Sequence, residues 1–269
     1  MSRSDLMLLL ALALVFVPLE RWRPIRRVAP DWRRLTTDIF HVFLSGTLIA
    51  LGIGAVRALL AMQVRPLLPD VIGVTVRGQP AWLQFLEILL ISDFAFYWAH
   101  RMTHAIPALW RLHEVHHSSE KLDWLAGHRV HPLDQLVNAA IIATPGVLLG
   151  FSPGPLLAYA LIYRWHAVFL HANVRVDFGP LRWIVASPNY HQWHHADQRE
   201  AYDRNFGGQL VVFDWLFGTL NMPAGRLPAK IGLPAPIARD WLGQMLHPVR
   251  RRPAEAPAPL AAAPTRWGS

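Results

Sequence analysis

The sequence predicts an all-α, polytopic integral membrane protein of about four to five transmembrane or re-entrant helices, capped by a cytosolic histidine-rich helical region. Three observations predict it. Five strongly apolar runs recur along 269 residues, and hydrophobic residues make up 53% of the chain against 16% charged. In addition, His-x-x-His-His occurs twice, at His113/His116/His117 and at His191/His194/His195. A bilayer core takes about 20 helical residues, with a working range of 17–25.

The first apolar run, 6–19, follows Arg3 and ends Val-Phe-Val-Pro-Leu-Glu, without the small-residue pattern of a cleaved signal, so an uncleaved anchor is expected. The runs 39–56 and 81–99 are long enough to span a bilayer. Residues 63–80, with Pro66, Pro69 and Gly73, read as a short outer loop. The runs 136–151 and 156–170 are shorter, and Pro153, Gly154 and Pro155 force a tight turn between them, as in a hairpin of tilted or re-entrant helices. Strand signal is weak, with 209–213 the single candidate. From 221 proline, alanine and arginine dominate, and 248–269 lacks apolar periodicity and reads as disordered. Three regions follow: 1–80 as membrane anchor, 81–220 as the histidine-bearing domain, and 221–269 as a tail.

Net charge is +8, carried almost wholly by arginine, with Lys121 and Lys230 the two lysines. A pI near 10.7 invites a nucleic-acid reading, but the placement argues against it. Arg21, Arg23, Arg26, Arg27, Arg33 and Arg34 fill one short connection, which is the positive-inside signal. Crossing parity then sends the segment after Ala99, and everything after His171, to the same cytosolic side. The chain has no cysteine, which excludes thiolate-ligated zinc, thiolate haem and iron–sulfur clusters within it. Any electrons must therefore come from another protein.

On a helix, His-x-x-His-His sets all three imidazoles on one face, and imidazole is a good ligand for iron, zinc and copper. Asp93, Tyr97, His100 and His104 share a face of the third span. An aspartate at hydrocarbon depth costs about 2.5–3.5 kcal/mol without a partner, so Asp93 is read as an acceptor orienting a ligand imidazole. His100, His104, His113, His116, His117, His191, His194 and His195 exceed what one ion can use, so two ions of four or five nitrogens each are expected. Further candidates are His128, His131, His166 and His171, whereas His41 and His247 read as ordinary. Glu87 has no account at this level. Zinc has no redox states and iron has, so iron chemistry on dioxygen at a lipid surface is the leading reading. The rival from another class is a metal transporter or sensor. A transporter would scatter ionisable groups near the midplane of several spans, and here they gather at one edge. A zinc hydrolase lacks its His-Glu-x-x-His, and a bis-His haem would announce itself by an intense Soret band.

Several ordered motifs carry a resemblance between Asp93 and Thr219. They are Asp93-x-x-x-Tyr97-x-x-His100-Arg101-x-x-His104, His113-x-x-His116-His117, His131-Pro132-Leu133-Asp134, His171-x-Asn173, His191-x-x-His194-His195, Asn205-Phe206-Gly207 and Asp214-x-x-Phe217-Gly218-Thr219. In these the chain resembles the fatty acid hydroxylase/sterol desaturase superfamily. The resemblance implies a membrane di-iron oxygenase that takes O2 and external electrons, from a ferredoxin or a b-type cytochrome with its reductase. Its substrate would be a lipid, hydroxylated or desaturated at an unactivated C–H bond. The implied metal ligands are His100, His104, His113, His116, His117, His171, His191, His194 and His195, with His131 or His166 as a tenth. Asp93, Tyr97, His128, His166, Asn173, Asn205 and Asp214 would support them. Zinc is expected only as a non-native substitute, and the expected location is a bacterial inner membrane.

Overall fold

The computed structural model describes residues 3–176 and 178–250, and among them every regular element is helical. The helix α1 (Arg3–Trp22) is followed by the arginine connection. A continuous helical run, Trp32–Leu67, then holds α2 (Trp32–Phe40) and α3 (Gly46–Leu59). Asp31 caps its start by accepting from the Arg34 amide. A π-turn at His41–Ser45 joins the two helices, with Ser45 Oγ 3.2 Å from His41 Nδ1. Where an outer loop was expected stands α4 (Asp70–Gly78), started by Pro69 and by Asp70 at its positive end.

The central helix is α5 (Ala81–Ala105). It stops at Ile106 because Pro107 disfavours helical geometry in the residue before it, and Pro107 then opens α6 (Pro107–His117). Proline also opens α7 (Pro132–Leu148) and α8 (Pro153–His171), and the turn between them uses Gly150 at φ +71. Three short helices complete the cap: α9 (Pro188–His194), α10 (Val212–Leu216) and α11 (Trp241–Met245). The expected strand at 209–213 is not formed. Leu210 makes one isolated bridge to Val185, because the amides of Gln209 and Leu210 are held by the Asp93 carboxylate instead of a partner strand.

Helix α5 packs against α6, α7 and α8, and α3 packs against α7. Ile88, Ile142, Phe151 and Tyr159 form the centre of this bundle. The approach of α3 to α7 needs Gly52, since the Leu136 side chain fills the place a Cβ would take. Among the described residues two segments, Trp32–Leu67 and Ala81–Ala105, are long and apolar enough to cross a membrane. Only 17% and 28% of their apolar windows are buried, so most of that surface faces outward, as lipid requires and a soluble core helix does not.

The arginine connection is part of the cap. Arg26 donates to Gln192 Oε1 at 3.3 Å and to the Pro228 carbonyl, and its amide donates to Asn173 Oδ1 at 2.9 Å. Arg34 pairs with Asp38 at 2.9 Å and with Asp123. The start of α2, the loop after α6 and the region of α9 therefore lie on one side of the molecule. The segment 221–250 also packs onto the cap, with Thr37 Oγ1 donating to the Arg239 carbonyl and His41 2.7 Å from Gln244 Oε1. Residues 251–269, where the disordered tail was expected, lie outside the described residues.

Candidate metal centre

Nine histidines converge where the ends of α5, α6, α8 and α9 meet. His100, His104, His113, His117 and His194 form one group, and His116, His171, His191 and His195 a second. Within each group the candidate ligand atoms lie within 4.8 Å of one another, and all nine side chains are buried. The expectation that each His-x-x-His-His acts from a single face needs correction. His113 and His117 look toward the first group while His116 looks toward the second, and His194 parts in the same way from His191 and His195. Adjacent helical residues diverge by about 100°, so a neighbouring pair of histidines can serve two centres from one turn.

The ring nitrogens are sorted by the backbone. His100 Nδ1 lies 2.9 Å from the Phe206 carbonyl, His116 Nδ1 3.1 Å from that of Arg129, His171 Nδ1 2.8 Å from that of Ala167, and His194 Nδ1 2.9 Å from that of Arg204. His113 Nδ1 is 3.0 Å from Asp134 Oδ2. A neutral imidazole has one N–H, and carbonyl or carboxylate oxygens can only accept, so each of these rings spends its hydrogen at Nδ1. Its Nε2 is left as a bare lone pair. Yet His100 Nε2 lies 3.1 Å from His113 Nε2, and His116 Nε2 lies 3.1 Å from His171 Nε2. Two lone pairs facing each other repel unless a cation shares them. The Nε2 atoms of His104, His117 and His194 are buried with no partner at all. Such a donor set fits metal ions, and in the second group His191 Nε2 also lies 2.9 Å from His171 Nε2 and 3.0 Å from His195 Nε2.

Electrostatics agree. Burial, reinforced by neighbouring imidazoles, lowers His116, His117, His191 and His195 well below the ordinary value, and burial holds His194 down to about 3. Neutral imidazole is the form that binds metal.

The supporting residues were only partly foreseen. Asp93 does not face a histidine; its carboxylate accepts from the amides of Gln209 at 2.7 Å and Leu210 at 2.8 Å. It thereby holds the loop whose Phe206 carbonyl orients His100. Asp214 does similar work, accepting from the amides of Phe206 and Gly207 at 2.7 Å each and from the hydroxyls of Thr219 and Tyr190. Gly207 has no room for a side chain, since a Cβ would meet Asp214 Oδ2 at 2.9 Å. The Tyr97 hydroxyl reaches Thr219 Oγ1 at 2.9 Å. Asn205 sits at φ +61, a conformation asparagine tolerates, and bonds the carbonyls of Tyr190 and Asn221. Asn173 bonds the Arg26 carbonyl at 2.8 Å, tying the arginine connection to the end of α8.

His131, expected as a tenth ligand, lies outside both groups. Its Nδ1 accepts from the Leu133 amide as the cap of α7, and its Nε2 is 3.2 Å from the Met245 carbonyl. His166 also lies outside, with Nε2 3.0 Å from the Ala186 carbonyl, and His128 packs beside Trp124. His41 and His247 stay apart from the metal groups, His247 pairing with Glu114 at 2.7 Å. Glu87 accepts from Gln79 Nε2 at 2.9 Å. The sequence reading missed Asp134 and Asp203, the latter 3.5 Å from His104 Nδ1 at φ +55. Asp134 had a signal, since it closes the His131-Pro132-Leu133-Asp134 motif.

A sequence profile of the fatty acid hydroxylase family matches residues 85–219, half of the chain and all nine converging histidines. The chain belongs to the fatty acid hydroxylase family. Among its relatives in that family, it is 32% identical to an ornithine lipid hydroxylase of Rhizobium tropici over 173 residues, 64% of this chain and 52% of the relative. It is 32% identical to an alkylglycerol monooxygenase of Danio rerio over 166 residues, 62% of this chain and 36% of that protein. The human alkylglycerol monooxygenase is 34% identical over 149 residues, 54% of this chain and 32% of its own length. The chain thus spans about half the length of the first relative and about a third of the others. No solved structure matches it.

Proposed function

We propose that this family member is a membrane-bound di-iron oxygenase that uses O2 and external electrons to hydroxylate, or desaturate, an unactivated C–H bond of a lipid. One observation carries the reading: in each group, two imidazoles that have already given away their single N–H point bare Nε2 atoms at each other 3.1 Å apart. Five histidines would hold one ion and four the other, leaving positions for oxygen and substrate on iron, which takes up to six ligands. Iron bound there supplies the activation of O2 that attack on a C–H bond requires.

The protein's part is placement. Phe206, Arg129, Ala167 and Arg204 carbonyls and the Asp134 carboxylate fix the ring tautomers and aim Nε2 inward. Burial disfavours the protonated form of His116, His117, His191, His194 and His195 and limits water at the centre. Residues 81–220 form the catalytic part, and the outward apolar face of the spans sets it at a bilayer, where lipids named in the relatives (an ornithine lipid, an alkylglycerol) would reach it. The cap faces the cytosol of a bacterial inner membrane, the side where a ferredoxin or a b-type cytochrome with its reductase can deliver electrons.

Metal analysis tests the centre. Protein reconstituted with ferrous iron should hold about two ions per chain, and a value near one at saturation would remove the dinuclear reading. Zinc found after overexpression would not, because zinc outcompetes ferrous iron at such ligands. For substrate class, lipid mass spectrometry on a strain lacking the protein should reveal a lipid one oxygen short of its normal product. A change of two hydrogens instead would make it a desaturase.

A further inference from the structure

Helix α10 lies where a membrane lipid should be. Along α5, Trp82, Leu86, Leu90, Phe94, Trp98 and Met102 recur every fourth residue and all are exposed. They make one apolar stripe down the outward face of a membrane-crossing helix. Lipid covers such a stripe, except that α10 already covers part of it. Phe213 meets Phe94 edge-on with ring centroids 5.4 Å apart, and Phe217 packs against Trp98 at 5.0 Å and on Tyr97 at 5.2 Å.

Depth follows from the rise of the helix. At about 1.5 Å per residue the apolar run 81–99 spans about 28 Å, close to the hydrocarbon thickness of about 30 Å. Phe94 then lies about 8 Å inside the cap-side edge, and Trp98 at that edge, where tryptophans gather. An element packed on the stripe at this depth takes the place of lipid, so its own outward residues meet lipid in turn. On α10 these are Trp215 and Leu216, exposed at 61% and 52%. Leu216 falls three residues from Phe213 and so continues the face that meets α5.

A second segment is fixed beside α10. The Ala186 amide donates to the Gln209 carbonyl and the Val211 amide to the Ile184 carbonyl, at 2.9 Å each. The turn before these bonds adds Leu181, Trp183 and Ile184, all exposed. Arg182 lies over the Trp183 ring at 5.0 Å, and its long stem lets a cation reach headgroups from an interfacial indole. No exposed carboxylate interrupts the patch. Residues 178–196 have none, and Asp214, the one in 206–221, is fully buried.

We propose that α10 and residues 181–184 are inlaid in the cap-side leaflet of the bilayer, with Leu181, Ile184, Trp215 and Leu216 against acyl chains and Arg182 at the headgroups. Part of the cap is thus a membrane element and does not stand clear in water. Phe217 stacks on Tyr97, one turn before His100, so lipid beside α10 reaches the flank of the histidine cluster without leaving the bilayer. The proposal rests on α5 crossing a bilayer, and is independent of which metal binds.

The chain has no cysteine, so a single introduced cysteine takes one fluorophore. Leu216→Cys, Ile184→Cys, Leu90→Cys and Glu200→Cys, all at exposed positions, are each labelled in the full chain with an environment-sensitive dye. The labelled proteins are placed in nanodiscs of phosphatidylcholine and phosphatidylglycerol. Quenching is read with phospholipids spin-labelled near the headgroup or at mid-chain, and with aqueous iodide. Leu216→Cys and Ile184→Cys should lose more fluorescence to the headgroup-side label than to the mid-chain label. Leu90→Cys should show the reverse, and Glu200→Cys should respond to iodide alone. A Leu216 or Ile184 probe open to iodide and untouched by lipid labels would reveal a face turned to water. One shielded from all three quenchers would reveal a face turned to another protein chain. Either result overturns the proposal. A Leu90 probe beyond the reach of both lipid labels would instead remove the crossing of α5, and the proposal with it.

Discussion

Asp93 and Asp134 are both buried carboxylates near the histidines, and they act on different partners. Asp134 touches a ring, at 3.0 Å from His113 Nδ1, so Asp134→Asn should weaken the acceptor and loosen the first group. Iron content or turnover should fall by about 10–100-fold, measured by metal analysis and product formation; an unchanged variant would detach Asp134 from the centre. Asp93 touches two backbone amides, so Asp93→Asn turns an NH2 against an N–H and leaves one donor unsatisfied. A stability loss of about 1–3 kcal/mol is expected, seen as an earlier unfolding midpoint, with intact iron binding in the protein that stays folded. The ligand histidines were legible in the sequence because their spacing is short and periodic. Asp134 was visible as the end of the His131–Asp134 motif, but its contact with His113 was not, since 21 residues and an irregular loop separate the two.

Helices and turns bind the membrane part to the cap through buried charge. Arg129 and Asp38 are 4% and 0% exposed and meet at 2.6 Å, joining α2 to the loop whose carbonyl holds His116. Asp38 keeps Arg34 at 2.9 Å when Arg129 is removed but loses a buried donor, so Arg129→Met should cost about 1–3 kcal/mol, read by denaturant unfolding in detergent. A cost below about 1 kcal/mol, typical of exposed pairs, would show the pair to be solvated. Acid should act on α6 and α9 as units. Unfolded imidazoles take up protons near 6.5, whereas buried His194 stays neutral down to about 3. The unfolded chain thus binds more protons between those values, and metal-free protein should keep its stability above about 6.5 and lose it progressively toward 3. Tryptophan-monitored unfolding that is flat across that window would contradict the burial of neutral rings. Element type was largely readable from apolar runs and prolines. The outer loop that became α4 was not, because Pro69 and Gly73 read as turn residues whereas Pro69 and Asp70 start a helix, and the strand was not, because Asp93, over a hundred residues away, holds its amides.

At the scale of the molecule, the arginine connection and the histidine cap share one side, joined by Arg26 and Arg34. With both engaged inside the protein, the outward positive signal rests on Arg21, Arg23, Arg27 and Arg33. An alkaline phosphatase fused after Ser269 should be silent and a fluorescent protein at that place should glow. The reverse would move the entire cap, and its electron supply, across the membrane. That many imidazoles would assemble was legible from counting; how they divide was not, because a helical face has width and its two edges can look at different neighbours. The division of each His-x-x-His-His between two groups has a consequence for how such a chain can change. Substitutions at Glu114, Val115, Gln192 or Trp193 leave the angular offsets intact, but inserting or deleting one residue there turns every later ring by about 100°. Since both motifs feed both groups, no such slip damages a single site: it mis-aims both at once. These short stretches should therefore withstand size-conserving changes at the residues between the histidines better than added or missing ones, and length-scanning libraries across 113–117 and 191–195 should yield survivors of native length alone.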